Sequence, residues 1–203
     1  MLRQYYLYLR LLLAKAMDSM SHGIGAAPPR ERCAAGYTDL VLVERPRGAA
    51  ANIYNDLFLF FGNAATRVHG RLWVGSAMNA TDAHFVRSVP IVGIVNVTPE
   101  VPRFFEGEGV RYHQIVVRDD RGCEISRGVF EDAARFIDAT LAAHPNGHVL
   151  VHCFVGRSRS VAICCYYMMT RHRMSFDRCY RDLAEKRPSV RINERFAAAL
   201  RAM

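Results

Sequence analysis

The chain has 203 residues, of which 51% are hydrophobic and 23% charged; this excludes a disordered polypeptide and allows one domain with a substantial core plus an extension. A net charge of +8 favours anionic partners such as phosphoproteins, nucleic acid or an acidic membrane surface, although no basic block interleaved with aromatics marks a nucleic-acid site. Cys33, Cys123, Cys153, Cys164, Cys165 and Cys179 form neither the paired spacing of a secreted disulfide scaffold nor a CxxC zinc pair, which points to a reducing compartment.

Residues 1–20, MLRQYYLYLRLLLAKAMDSM, contain no Gly or Pro and read as a helix. Arg3, Arg10 and Lys15 interrupt the apolar content, so no stretch reaches the roughly 18–20 residues of a membrane span. Arg10 also breaks the apolar region of a secretory signal, whereas a basic stretch with no acid before Asp18 has the character of a mitochondrial presequence. The preferred reading is a packing helix, covered by its own domain or by a second subunit. Residues 21–50 carry Gly23, Gly25, Pro28, Pro29, Pro46 and Gly48 and read as a loosely packed arm. The apolar stretch IYNDLFLFF, residues 53–61, requires burial without declaring its element.

Residues 1–66 are therefore set apart from a second unit, 67–203. Within it, Arg71 to Gly75 reads as a first strand, Thr81 as the cap of a helix over 82–89, and Ile91 to Val97 as a buried strand. Pro99 and Pro102 mark a loop, and Val110 to Val117 reads as a further strand ending at Arg118-Asp119-Asp120. Ser126 caps a long helix to about His144, with Phe130, Ala133, Ala134, Ile137 and Leu141 on one face. Val149 to Val151 follows the turn dipeptide Asn146-Gly147 as a short buried strand. A buried helix runs from Ser160 through Met168, Ser175 opens another that ends before Pro188, and Asn193 caps a last one to about Ala202. Strands alternating with helices predict an α/β domain: a mainly parallel sheet with helices on both faces.

The stretch HVLVHCFVGRSRS, His148 to Ser160, carries the chemistry. A loop running from a strand end into a helix N-terminus presents free N–H groups and favours an anion. Gly156 permits a tight curl, and Arg159 offers a planar fork matched to phosphate oxygens. Cys153 falls on the floor of that cradle, where the same N–H dipoles favour a thiolate.

His152-Cys153-x5-Arg159-Ser160 resembles the signature of the cysteine-dependent protein phosphatases. The fuller HCxxGxSRS, with Gly156 and Ser158 in place, resembles the dual-specificity branch in particular. SVAICCYYMM (160–169) and RPSVRINERF (187–196) resemble segments that follow the signature in that family, so the likeness spans about Arg71 to Met203. The Tyr/Leu-rich leading stretch is similar to the short helix of viral members that pair through it, which implies a homodimer.

The resemblance implies two-step hydrolysis of a phosphate monoester through a cysteinyl-phosphate. Cys153 is then the nucleophile, and Phe154, Val155, Gly156, Arg157, Ser158 and Arg159 surround the phosphate. Ser160 donates to the Cys153 sulfur as it leaves. His152 holds the loop's geometry, and Asn193 helps orient the loop. The departing oxygen needs a proton from a carboxylic acid on a separate loop. Aligning YHQIVV with the family's Tyr-x-x-Ile run selects Asp119, with Asp120 the alternative. No metal or organic cofactor is required.

No tyrosine-recognition loop of the larger tyrosine phosphatases is apparent. A shallow cleft follows, open to phosphoserine and phosphothreonine as well as phosphotyrosine in proteins. Other readings stay open. RNA 5′-phosphatases carry HCxHGxNRT, but Val155 and Ser158 stand at the distinguishing positions. Phosphoinositide phosphatases often place Lys beside the Cys, where this chain has Phe154 and Val155, with only Arg157 basic. Non-catalytic phospho-binding members lose the Cys or the Arg, and both are present. Cys123, on the acid loop, is a candidate redox partner of Cys153. The expected location is cytoplasmic, with a mitochondrion or a virus particle as alternatives.

Overall fold

The computed structural model describes residues 64–99, 101–117 and 125–203. The expected N-terminal helix, the arm and the apolar stretch 53–61 lie outside the described residues, as do Asp119, Asp120 and Cys123.

Five strands, Thr66–His69 (β1), Leu72–Gly75 (β2), Ile91–Asn96 (β3), Arg111–Gln114 (β4) and His148–His152 (β5), form one sheet in the order β1-β2-β5-β3-β4. The β2–β5, β5–β3 and β3–β4 pairs are parallel. Val149, Leu150 and Val151 are fully buried because β5 lies at the centre of a sheet covered on both faces, as a continuous apolar run requires.

Alternating side chains divide the core between the faces. On one side Leu72, Val74, Val149 and Val151 pack against four helices: Arg127–Ala143 (α3), Arg159–His172 (α4), Phe176–Lys186 (α5) and Glu194–Arg201 (α6). On the other, Ile94 and Leu150 pack against the short helices Ala77–Thr81 (α1) and Ala83–Ser88 (α2), together with Phe105. Gly93 in β3 is a close-approach site, since a Cβ there would meet Thr140 Cγ2 of α3 at 2.7 Å. The α3 stripe is buried at Phe130, Ala133, Ala134 and Ile137. Across the outer side of the α3–α4 pair, Arg171 bonds both Asp138 and Glu131, and the Tyr166 and Tyr167 hydroxyls donate to the same two carboxylates.

Several local expectations are corrected. The sheet opens one strand earlier than expected, because β1 pairs antiparallel with β2 across a turn at Gly70, φ +50°. Thr81 does not cap the next helix. Its Oγ1 donates back to the Met78 carbonyl at 3.1 Å, while the Asp82 carboxylate accepts from the N–H groups of His84 and Phe85 and caps α2. A carboxylate is the stronger acceptor for these orphan donors. The expected strand Val110 to Val117 is regular only over β4, although the Ile115 N–H continues to the Asn96 carbonyl at 2.8 Å. Ser126, Ser175 and Asn193 cap α3, α5 and α6 with their side chains as expected. Among the described residues no helix is long and apolar enough to cross a membrane.

Candidate active site

β5 ends at His152, and the chain turns through Cys153–Ser158 into α4. The site lies at the carboxyl end of a central parallel strand, where such sheets bind ligands. Cys153 is 2% exposed. Its Sγ accepts the Gly156 N–H at 3.2 Å and lies 3.3 Å from the Ser160 hydroxyl. Both partners suit a sulfur carrying negative charge.

Gly156 adopts φ +77°, and a Cβ there would meet the Gly75 carbonyl oxygen at 2.6 Å and Arg187 Nη2 at 2.7 Å. Only glycine satisfies both the left-handed backbone and the close approach.

The loop's carbonyls are held from outside. The Phe154 carbonyl accepts from the Ala77 N–H at 3.0 Å, and that of Arg157 from the Arg191 N–H at 2.9 Å. The Val155 carbonyl accepts from Arg187 Nη2 at 3.5 Å and the Gly156 carbonyl from Arg187 Nε at 2.9 Å. Across a planar trans peptide the N–H points opposite to the C=O. Anchoring these oxygens outward therefore turns the following N–H groups, from Val155 to Ser158, inward around the sulfur. The segment after α5 supplies further support: Arg157 Nε donates to the Ser189 carbonyl at 3.1 Å and the Asn193 N–H to Ser158 Oγ at 3.0 Å. Asn193 thus meets the loop through its backbone, while its side chain accepts from the Arg195 N–H.

Arg159 opens α4 and is 7% exposed; its Nη1 donates to the Val117 carbonyl at 2.9 Å. That carbonyl immediately precedes the segment containing Asp119. His152 is fully buried, with Nδ1 3.3 Å from the Cys153 carbonyl. Burial pushes its pKa down to about 4; the carbonyl contact opposes this and the Arg159 charge adds to it. The imidazole is therefore neutral at pH 7. Burial raises the Cys164 and Cys165 thiols well above their ordinary range, so both stay protonated in the core.

Of the residues expected to surround a phosphate, Val155 to Ser158 contribute backbone to the cradle. Phe154 turns its side chain away, into an apolar wall with Ala77 and Val101 flanked by Met78, Phe104 and Val155, and Ser158 Oγ faces the segment after α5. The sequence reading gave no role to Arg187, which is 2% exposed and holds two of the loop carbonyls. Its local signs are its place just before Pro188, where a helix must end, and its position at the head of the family-like segment 187–196.

A family model described as dual specificity phosphatase, catalytic domain, matches residues 72–203. Dual specificity protein phosphatase 9 of Homo sapiens is 35% identical over 130 residues, covering 64% of this chain and 33% of that protein. Dual specificity protein phosphatase 2 of Mus musculus is 33% identical over 129 residues, covering 64% of this chain and 39% of that protein. The chain thus spans well under half the length of these curated relatives. Among solved structures, human DUSP28 superposes with a TM-score of 0.58 at 26% identity, covering 69% of this chain and 92% of that one. The Yvh1 phosphatase domain from Chaetomium thermophilum gives 0.60 at 28% identity, covering 68% and 94%. With its signature loop closed around Cys153 in the manner described, the chain belongs to the dual specificity phosphatase family.

Proposed function

We propose that this protein hydrolyses phosphotyrosine and phosphoserine or phosphothreonine in proteins through a cysteinyl-phosphate intermediate. The observation that carries this reading is the environment of Cys153: a buried sulfur that accepts the Gly156 N–H and touches the Ser160 hydroxyl, in a loop whose carbonyls are held from outside.

In the first step the Cys153 thiolate attacks phosphorus, an S–P bond forms, and the P–O bond to the substrate oxygen breaks in line. Asp119, as the carboxylic acid, gives its proton to the departing oxygen. The loop N–H groups and the Arg159 fork stabilise the charge on the three remaining phosphoryl oxygens. In the second step water attacks phosphorus, Asp119 takes its proton, and the S–P bond breaks. The Ser160 hydroxyl stabilises the released thiolate, and His152 supports the loop as a neutral hydrogen-bonding group.

The short catalytic region supports dual specificity, because a shallow cleft lets short and long phosphorylated side chains reach the sulfur. A reducing, cytoplasmic setting is part of the proposal, since a thiolate nucleophile is lost on oxidation. So is pairing through residues 1–20, supported by their Leu- and Tyr-rich content. Metal-free phosphate release from phosphopeptides, abolished by Cys153→Ser, tests the activity.

A further inference from the structure

Arg187 is among the largest fully buried side chains among the described residues. Among the described residues its guanidinium faces only neutral oxygens: the carbonyls of Gly156 at 2.9 Å, Val155 at 3.5 Å and Ala64 at 2.6 Å, and Thr66 Oγ1 at 3.4 Å. None of these acceptors is a carboxylate. A buried cation without a counter-ion is costly, and such a charge is retained where something else requires it. Burial lowers the Arg187 pKa, and the Cys153 sulfur acts against that shift.

The geometry gives this charge a task. Nε and Nη2 grip two consecutive carbonyls of the loop, Gly156 and Val155. The peptide plane whose oxygen is Val155 O carries the Gly156 N–H, and that N–H points at Cys153 Sγ, 3.2 Å away. The plane whose oxygen is Gly156 O carries the Arg157 N–H, which is turned inward by the same opposition. Releasing the carbonyls would let both planes rotate and take their donors off the anion. Lysine cannot substitute, because one ammonium lacks the fixed fork that spans two acceptors while also reaching Ala64 and Thr66.

We infer that Arg187 is a positioning residue for the anion cradle, a buried guanidinium that fixes two loop peptide planes so that their N–H groups face Cys153 and a bound oxyanion. This inference rests on the reading of the Cys153–Ser158 loop as a phosphate cradle. The Ala64 and Thr66 contacts extend its consequence, because the chain entering β1 shares the guanidinium that sets the cradle.

The test compares the full chain with Arg187→Lys, Arg187→Met and, as a control for lost surface charge, Arg181→Met, whose side chain is exposed on α5. Tungstate serves as a non-hydrolysable oxyanion, with affinity read by calorimetry. kcat and KM are measured on an aryl phosphate, and folding is followed by circular dichroism. Both Arg187 variants are expected to fold, to lose about tenfold to a hundredfold in tungstate affinity, and to lose kcat more than KM rises, as when an oxyanion donor is misplaced. Arg181→Met is expected to match the wild type. Folded Arg187 variants that bind tungstate and turn over like the wild type would overturn the inference while leaving the phosphatase reading intact. Failure of both Arg187 variants to fold would overturn it in favour of a purely structural role. A wild type that binds tungstate but hydrolyses nothing would remove the phosphatase reading, and the affinities would still decide the role of Arg187.

Discussion

His152 makes the clearest pH-dependent statement of any single residue. The folded chain keeps it neutral down to about pH 4 because burial and the Arg159 charge disfavour its cation. The unfolded chain protonates it near the ordinary value of 6.5. Between those limits the unfolded state binds the extra proton, so stability present above pH 6.5 is lost as pH falls towards 4. Between pH 7 and pH 5 this one group should cost on the order of 2 kcal/mol. Urea unfolding at both pH values should show a smaller drop for His152→Asn than for the wild type; equal drops would contradict the assignment. Cys153, Gly156, Arg159 and Ser160 were legible in the sequence because the cradle is built from consecutive residues, so its chemistry survives as spacing. Arg187 was not. Its depth depends on the segment after α5 folding back onto the loop; the likeness of 187–196 to the family marks that segment without showing which side chain is buried. For the same reason the sequence places Ser158 in the loop without showing that its hydroxyl accepts the Asn193 N–H.

At the scale of elements, caps and apolar stripes were readable where local chemistry decides them, as with Ser126, Ser175 and Asn193. Thr81 failed because an adjacent carboxylate competed for the same donors. β1 was missed because a four-residue edge strand, Thr66–His69, with alternating exposure carries little apolar signal. The junction between β4 and α3 matters most for catalysis. Arg159 Nη1 holds the Val117 carbonyl at 2.9 Å, so the arginine proposed to bind the phosphate is tied to the residue that leads into the segment carrying Asp119. If Asp119 protonates the leaving oxygen, its removal matters in proportion to how much help that oxygen needs. Asp119→Ala should cut kcat about a hundredfold or more on alkyl and unactivated aryl phosphates and far less on strongly activated aryl phosphates. Equal losses on both substrates would reject Asp119, and the same comparison on Asp120→Ala would show whether its neighbour takes the role.

At the scale of the whole molecule, the mainly parallel sheet and its two helical layers followed from the alternation of apolar strands with amphipathic helices, which is a property of the chain as a whole. The chain's positive charge of +8 suits acidic and phosphorylated partners and predicts association rates that fall with salt. Pairing through residues 1–20 predicts a dimeric mass in analytical ultracentrifugation at micromolar concentration, and a monomeric mass once those residues are deleted. A monomer in both cases would dismiss the interface.

As proposed, Cys153 is the nucleophile of a metal-independent phosphatase with dual specificity. The most direct test is phosphate release from matched phosphotyrosine and phosphothreonine peptides, in chelator and reductant, by the intact protein and by Cys153→Ser. Release from both peptides, lost in the variant, is the predicted result. A folded, reduced wild type that releases phosphate from neither peptide, or a Cys153→Ser variant that retains turnover, would contradict it.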